Sequence, residues 1–130
     1  MTALLLALLL SRQPPPPEGA LCASGSPDHA YTIRDAHFCR RHVVKARRAA
    51  VFARDGIPAA LWSLYELDHV IPLCLGGSND VANLWAERWP HAKRKDVLEN
   101  RLCRALKAGT MTQAAAVAEL RASLASLGQL

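Results

Sequence analysis

Asp68, His69, Asn83 and His91 are residue types, at spacings, that suit hydrolysis of a phosphodiester. Water is a weak nucleophile, so a base must take its proton, and a neutral imidazole does this near pH 7. The departing oxygen and the phosphorus gather negative charge, which a cation beside them stabilises. A hard ion such as Mg²⁺ takes oxygen ligands and keeps several waters, with only one or two protein groups. On this reading Asp68 supplies a carboxylate, His69 the base and His91 a second ligand. The residue types alone leave blander readings open. Asp68-His69 can be a hydrogen-bonded pair at a strand end, Asn83 a turn or cap residue, and His91 the start of a helix.

The surrounding segments must bring these residues together. Leu61 to Ile71 is rich in β-favouring residues and is closed by Pro72. Gly76-Gly77-Ser78-Asn79-Asp80 reads as a turn and Val81 to Trp85 as a second extended piece. A helix follows over His91–Lys107, with Leu98, Leu102, Ala105 and Leu106 on its buried stripe and Gly109 as its stop. A hairpin therefore sets Asn83 near the Asp68-His69 end. The helix carries His91 to that end on the face of Lys95, Leu98 and Leu102. Side chains next to each other on a regular strand point to opposite faces. Asp68 and His69 can thus share a site only where the strand is irregular or ending.

Upstream, the spacing of Val43, Ala46, Ala50 and Ala53 predicts a helix from His37 to Arg54, with Arg41, Lys45 and Arg48 on its other side and Gly56 and Pro58 beyond its end. Downstream, Thr110 and Gln113 have capping-box spacing before a last helix with Val117, Leu120, Leu124 and Leu127 on one stripe. The order is helix, β-hairpin, helix, helix, an α+β chain. His29, His37 and His42 show no readable spacing and count as surface or packing residues.

The chain carries 16 Lys+Arg against 11 Asp+Glu, a formal charge of +5 that favours a polyanionic partner, nucleic acid above all. Arg41, Lys45, Arg48, Lys93, Arg94 and Lys95 are the candidate phosphate contacts. The last three crowd a helix's first turn, where the macrodipole disfavours cations unless an anion docks there. A solvated basic face is the alternative for all six. Trp62, Trp85 and Trp89 belong to the core or its rim in so aromatic-poor a chain.

Residues 1–27 read as a leader and linker, an apolar run over Thr2 to Leu10 followed by Pro14 to Pro17, with the nuclease-like segment over 28–130 and its core over 61–109. The apolar run has the length of a signal-peptide core and is too short to span a bilayer, although no Lys or Arg precedes it. The expectation is an exported protein without membrane insertion, a cytoplasmic location being the alternative. Cys22, Cys39, Cys74 and Cys103 lack any C-x-x-C spacing, which argues against a zinc knuckle. They leave either two disulfides, in any of three pairings, or buried thiols.

Taken together, Tyr65-Glu66-Leu67-Asp68-His69-Val70-Ile71-Pro72-Leu73, Gly76-Gly77-Ser78-Asn79-Asp80, Asn83-Leu84-Trp85 and Lys95-Asp96-Val97-Leu98-Glu99-Asn100 closely resemble the small HNH endonucleases of bacteria and phages. The match covers roughly residues 65–109, about a third of the chain, and draws its specificity from several spaced elements in order. The resemblance implies a ββα-metal (His-Me finger) core, a hairpin and helix gripping one divalent ion, with flanking N- and C-terminal helices. It implies Asp68 and His91 as metal ligands, His69 as general base and Asn83 as the residue that orients that base. Mg²⁺ is the ion implied, with Mn²⁺ an alternative, and DNA the substrate. Two departures stand out. His91 follows Trp89-Pro90 in place of a Cys-His or Cys-Asn context, and Cys74-Leu75 replaces the usual Glu before the Gly-Gly turn. Two other classes compete: a nucleic-acid-binding module without catalysis, and a small exported interaction protein stapled by its cysteines.

Overall fold

A computed structural model describes residues 2, 3, 5 and 12–127 of the chain. The apolar run expected to act as an export leader lies largely outside these residues. The described chain is α+β: two antiparallel hairpins and three α-helices. Among the described residues no helix is long and apolar enough to cross a membrane.

The first hairpin joins β1 (His29–Ile33) to β2 (Ala36–Cys39). Its two-residue turn, Arg34-Asp35, has φ of 48° and 69°, the left-handed pair that matches the twist of adjoining strands. The helix expected from His37 is therefore wrong over its first turns. His37, Phe38 and Cys39 pair with β1, and α1 begins only at Lys45, running to Arg54. Its buried residues are Val51 and Phe52, while Ala46, Ala50 and Ala53 are exposed. Two large side chains remove more apolar surface from water than a stripe of alanines, and they decide which face packs.

The second hairpin joins β3 (Tyr65–His69) to β4 (Leu84–Arg88), with Asp68 opposite Trp85 and His69 opposite Leu84. Residues 61–64, expected to be extended, belong instead to a 3₁₀ turn over Ala59–Leu64, and another such turn over Val81–Asn83 delays β4 by three residues. β4 runs directly into α2 (Trp89–Ala108), which carries Pro90 in its first turn and ends at Gly109, φ 79°. α3 (Gln113–Leu127) closes the fold, burying Ala116, Val117, Leu120 and Leu124. The capping box is displaced: Thr112 Oγ accepts from Ala115 N, and Gln113 donates its amide to Leu75 O.

The hairpin β3–β4 lies between two cores. Trp85 belongs to one with Phe38, Val70, Ile71, Leu75, Leu102, Leu106, Leu120 and Leu124. Leu84 and Ala86 belong to the other with Val51, Phe52, Ile57 and Tyr65. This is the two-residue alternation of a strand buried on both faces.

Ordered chain also starts well before Asp28. Tyr65 Oη donates to Arg12 O at 2.7 Å, and Gln13 bonds both Ala86 O and Arg88 N along the edge of β4. Ala20 to Cys22 then lie against Gly76 to Ser78, with Cys22 N donating to Gly76 O and Ser78 N to Ala20 O. Two disulfides, Cys22–Cys39 and Cys74–Cys103, staple these layers. Their sequence separations of 17 and 29 residues correspond to about 3 and about 3.5 kcal/mol of loop-closure stabilisation.

Candidate functional site

The site forms where β3 ends beside the first turns of α2. Asp68 sits opposite Trp85, so its side chain, like those of Trp85 and Glu87, lies on the α2 side of the hairpin. His69 is the last residue of the strand and turns the other way, to the loop that joins β3 and β4. Its Nε2 lies 3.0 Å from Asn79 Oδ1. The two neighbours thus keep the strand's alternation and take different partners, although the Asp68 charge still reaches His69. His69 is only 5% exposed, whereas the Asp68 side chain retains 21% exposure.

Asn83 is fully buried and forms four hydrogen bonds. Its Oδ1 accepts from Ile71 N (3.1 Å) and Ala20 N (3.0 Å), and its Nδ2 donates to Ile71 O (2.9 Å) and Ser78 O (2.8 Å). It pins both ends of the loop and the incoming N-terminal segment, and it forms no hydrogen bond with the His69 ring. Gly77 makes room for this: a Cβ there would stand 1.8 Å from Ile71 O and 2.8 Å from Asn83 Nδ2.

Lys95 is the largest correction to the sequence reading. Instead of facing a phosphate it is 0% exposed, its ammonium donating to Asp68 Oδ2 (3.1 Å), His69 O (2.8 Å) and Glu99. Burial alone would lower its pKa, but Asp68, Glu99 and Glu87 outweigh that and raise it. The converse holds for Asp68: burial pushes its carboxyl up, yet the Lys95 charge and hydrogen bonds from Glu87, Lys95 and the His69 backbone hold it below the usual range. Burial lifts Glu99 to about 7 despite Lys95.

His91, in the first turn of α2, is buried with its ring edge against Trp85, and its Nδ1 pairs with Glu87 of β4. Burial pushes His91 down to about 4, with Arg94 and Lys95 adding to the effect, and pushes Glu87 up to about 10. Glu87 also pairs with Asp68, while its Oε1 meets no N–H or O–H donor among the described residues. Two carboxyls can pair only through a shared proton, and Glu87 is the one that holds it. A proton on Glu87 Oε1 donated to Asp68 leaves Oε2 to accept from His91 Nδ1–H, and His91 Nε2 then bears a lone pair. This is the donor set a hard cation would meet: the Asp68 carboxylate and an imidazole oriented by a carboxyl behind it. Among the described residues no group of three or more His, Cys, Asp and Glu side chains is arranged to hold a metal ion. Any ion would rest on these two ligands and water.

The basic residues separate. Arg41, Lys45 and Lys93 are exposed, and the Arg41 charge reaches both His69 and Glu66. Arg48 stacks over Phe52 and Trp62 at 4.9 and 5.1 Å from the ring centres, and Arg94 donates to Leu127 O at the end of α3. Both are occupied within the fold. Burial holds His69 below its ordinary pKa, although the bond to Asn79 works against this, so the ring is neutral at pH 7.

Sequence reasoning missed Glu87, Glu99, Asn79 and Asp28. The spacings Glu87–His91 and Lys95–Glu99, each four residues, were visible pairing signals. Asn79 bonds Asp28, which is 51 residues away and gives no local sign. No protein-family model, curated protein or solved structure was found to match this chain.

Proposed function

We propose that this protein is a metal-dependent endonuclease of the HNH type, cutting DNA through a water activated by His69. The observation that carries the reading is the run of strand, strand and helix that sets Asp68 beside the first turns of α2, where its charge reaches both His69 and His91. His69 is neutral there and can take a proton from water. Asp68, kept ionised, and His91 would hold the divalent ion, which stabilises charge on the phosphate and the leaving oxygen. Asn83 serves by fixing the loop that leaves His69. Arg41, an exposed cation whose charge reaches the base, would meet the substrate phosphate. The two disulfides support an exported protein, since such bonds persist in oxidising compartments.

A second reading, a nucleic-acid-binding module without catalysis, draws on two observations: His69 is 5% exposed, and Lys95 already neutralises Asp68. Digestion of supercoiled plasmid by the purified, disulfide-bonded protein separates the two. Nicking with Mg²⁺ or Mn²⁺ that stops with EDTA supports the nuclease. Salt-sensitive binding without nicking under either ion supports the module.

A further inference from the structure

Asn79 is 2% exposed, and its three side-chain partners leave it one orientation. Its Nδ2 points at two groups that can only accept, Asp28 Oδ2 at 3.0 Å and Arg40 O at 2.7 Å. Rotating the amide by half a turn would set its oxygen against both and lose two hydrogen bonds. The oxygen therefore faces His69 Nε2, and an oxygen there demands a donor. In the neutral ring the Nε2 position must carry the proton, which leaves the lone pair on Nδ1. Among the described residues Nδ1 has no hydrogen-bond partner.

Further groups hold Asn79 in turn. Arg47 donates to its backbone carbonyl. Asp28, 7% exposed, accepts from His42 Nδ1 at 2.8 Å through its other oxygen, and its backbone carbonyl accepts from Arg40 N. Asp28 and Arg40 flank the first hairpin, which the Cys22–Cys39 disulfide closes. The order is carboxylate, amide, imidazole, the arrangement by which a third group aims a base. None of Asp28, Arg40 and His42 belongs to the hairpin-and-helix segment that bears the other candidate residues.

We infer that Asp28 and Asn79 are positioning residues that fix His69 as its Nε2–H tautomer and make Nδ1 the atom that takes the proton from water. The catalytic part of this inference rests on the nuclease reading; the tautomer does not. The first hairpin is then a working part of the site and more than a cover for it.

The test uses the full-length, disulfide-bonded, metal-free protein labelled with ¹⁵N at histidine, at a pH where His69 is neutral. Long-range ¹H–¹⁵N correlations read the tautomer directly. The wild type should show Nε2–H alone, its proton protected from solvent exchange. Asn79→Ala should lose that protection and show both tautomers in exchange. Asp28→Asn, which keeps an acceptor oxygen for Asn79, should retain the wild-type pattern, and Asp28→Ala should not. An Nδ1–H tautomer in the wild type overturns the inference whether or not any variant folds. So does an unchanged, protected Nε2–H in Asn79→Ala. In plasmid cleavage, Asn79→Ala should lower kcat by at least tenfold with KM for DNA within about twofold. Wild-type protein that shows the tautomer but cuts no DNA keeps the positioning and removes the nuclease.

Discussion

Replacing Asn83 by alanine should come close to unfolding the protein, although the residue was expected to serve catalysis. The change would strand two backbone donors, the buried Ile71 N and the part-buried Ala20 N, and two buried acceptors, Ile71 O and Ser78 O. A buried group left without a partner costs about 1–3 kcal/mol, and carbonyls tolerate the loss better than N–H groups. Summed over the four, with the carbonyls discounted, the loss is roughly 4–6 kcal/mol. A domain of this size has about 5–15 kcal/mol in total. At roughly 3–5 °C per kcal/mol, Tm should fall by about 12 °C or more. Asn83→Asp should not rescue it, because an oxygen would then face Ile71 O and Ser78 O, 2.9 and 2.8 Å from the present amide nitrogen. Thermal unfolding followed by circular dichroism measures both. A Tm for Asn83→Ala within about 3 °C of wild type would refute the reasoning, since it would mean that the loop holds without its central side chain.

Lys95→Met should destabilise by about 3–5 kcal/mol in urea denaturation, because Asp68 and Glu99 lose their buried cation; equal or greater stability would show that the ammonium contributes nothing net. With Lys95 buried and Arg48 and Arg94 occupied, the exposed Arg41, Lys45 and Lys93 are the candidates left for contact with a DNA backbone under the proposed function. A log–log salt slope of about −3 is expected, and a flat dependence would leave these charges facing solvent. Glu87 holds its proton up to about pH 10 in the fold, whereas the unfolded chain releases it near 4.5. The folded state thus binds the extra proton between these values, and stability falls as pH rises from 7 to 10, by up to about 1.4 kcal/mol per pH unit. Chemical denaturation across that range should show the decline, and Glu87→Gln should flatten it; identical slopes would place the proton elsewhere.

What the sequence could disclose follows from how local each signal is. The β3–β4 hairpin, α2 and α3 were legible because alternation, leucine periodicity, Gly109 and the Gly76-Gly77 turn all act within a few residues. The first hairpin was not: its turn, Arg34-Asp35, holds left-handed φ without a glycine, and alanines further on mimic a helical stripe. Asp68 and His69 were found as chemistry-bearing neighbours, but their partners were not. Lys95 counts in the sequence among the phosphate contacts, although its spacing from Leu98 and Leu102 already sets it on the inward face; its role as the buried centre of a charge cluster depends on Asp68, which only the packing of α2 on β3 brings to it. The link from Asp28 through Asn79 to His69 spans contacts of 51 and 10 residues that no local pattern marks.

The central claim is that His69 takes the proton from water. It is tested most directly by the rate at which supercoiled plasmid is nicked by wild type and His69→Ala in the same Mn²⁺ buffer. Thermal melting first establishes that both are folded, and a binding assay that both hold DNA alike. Loss of a general base predicts a fall of about 10²–10⁴-fold. A variant that nicks within threefold of wild type would contradict the account.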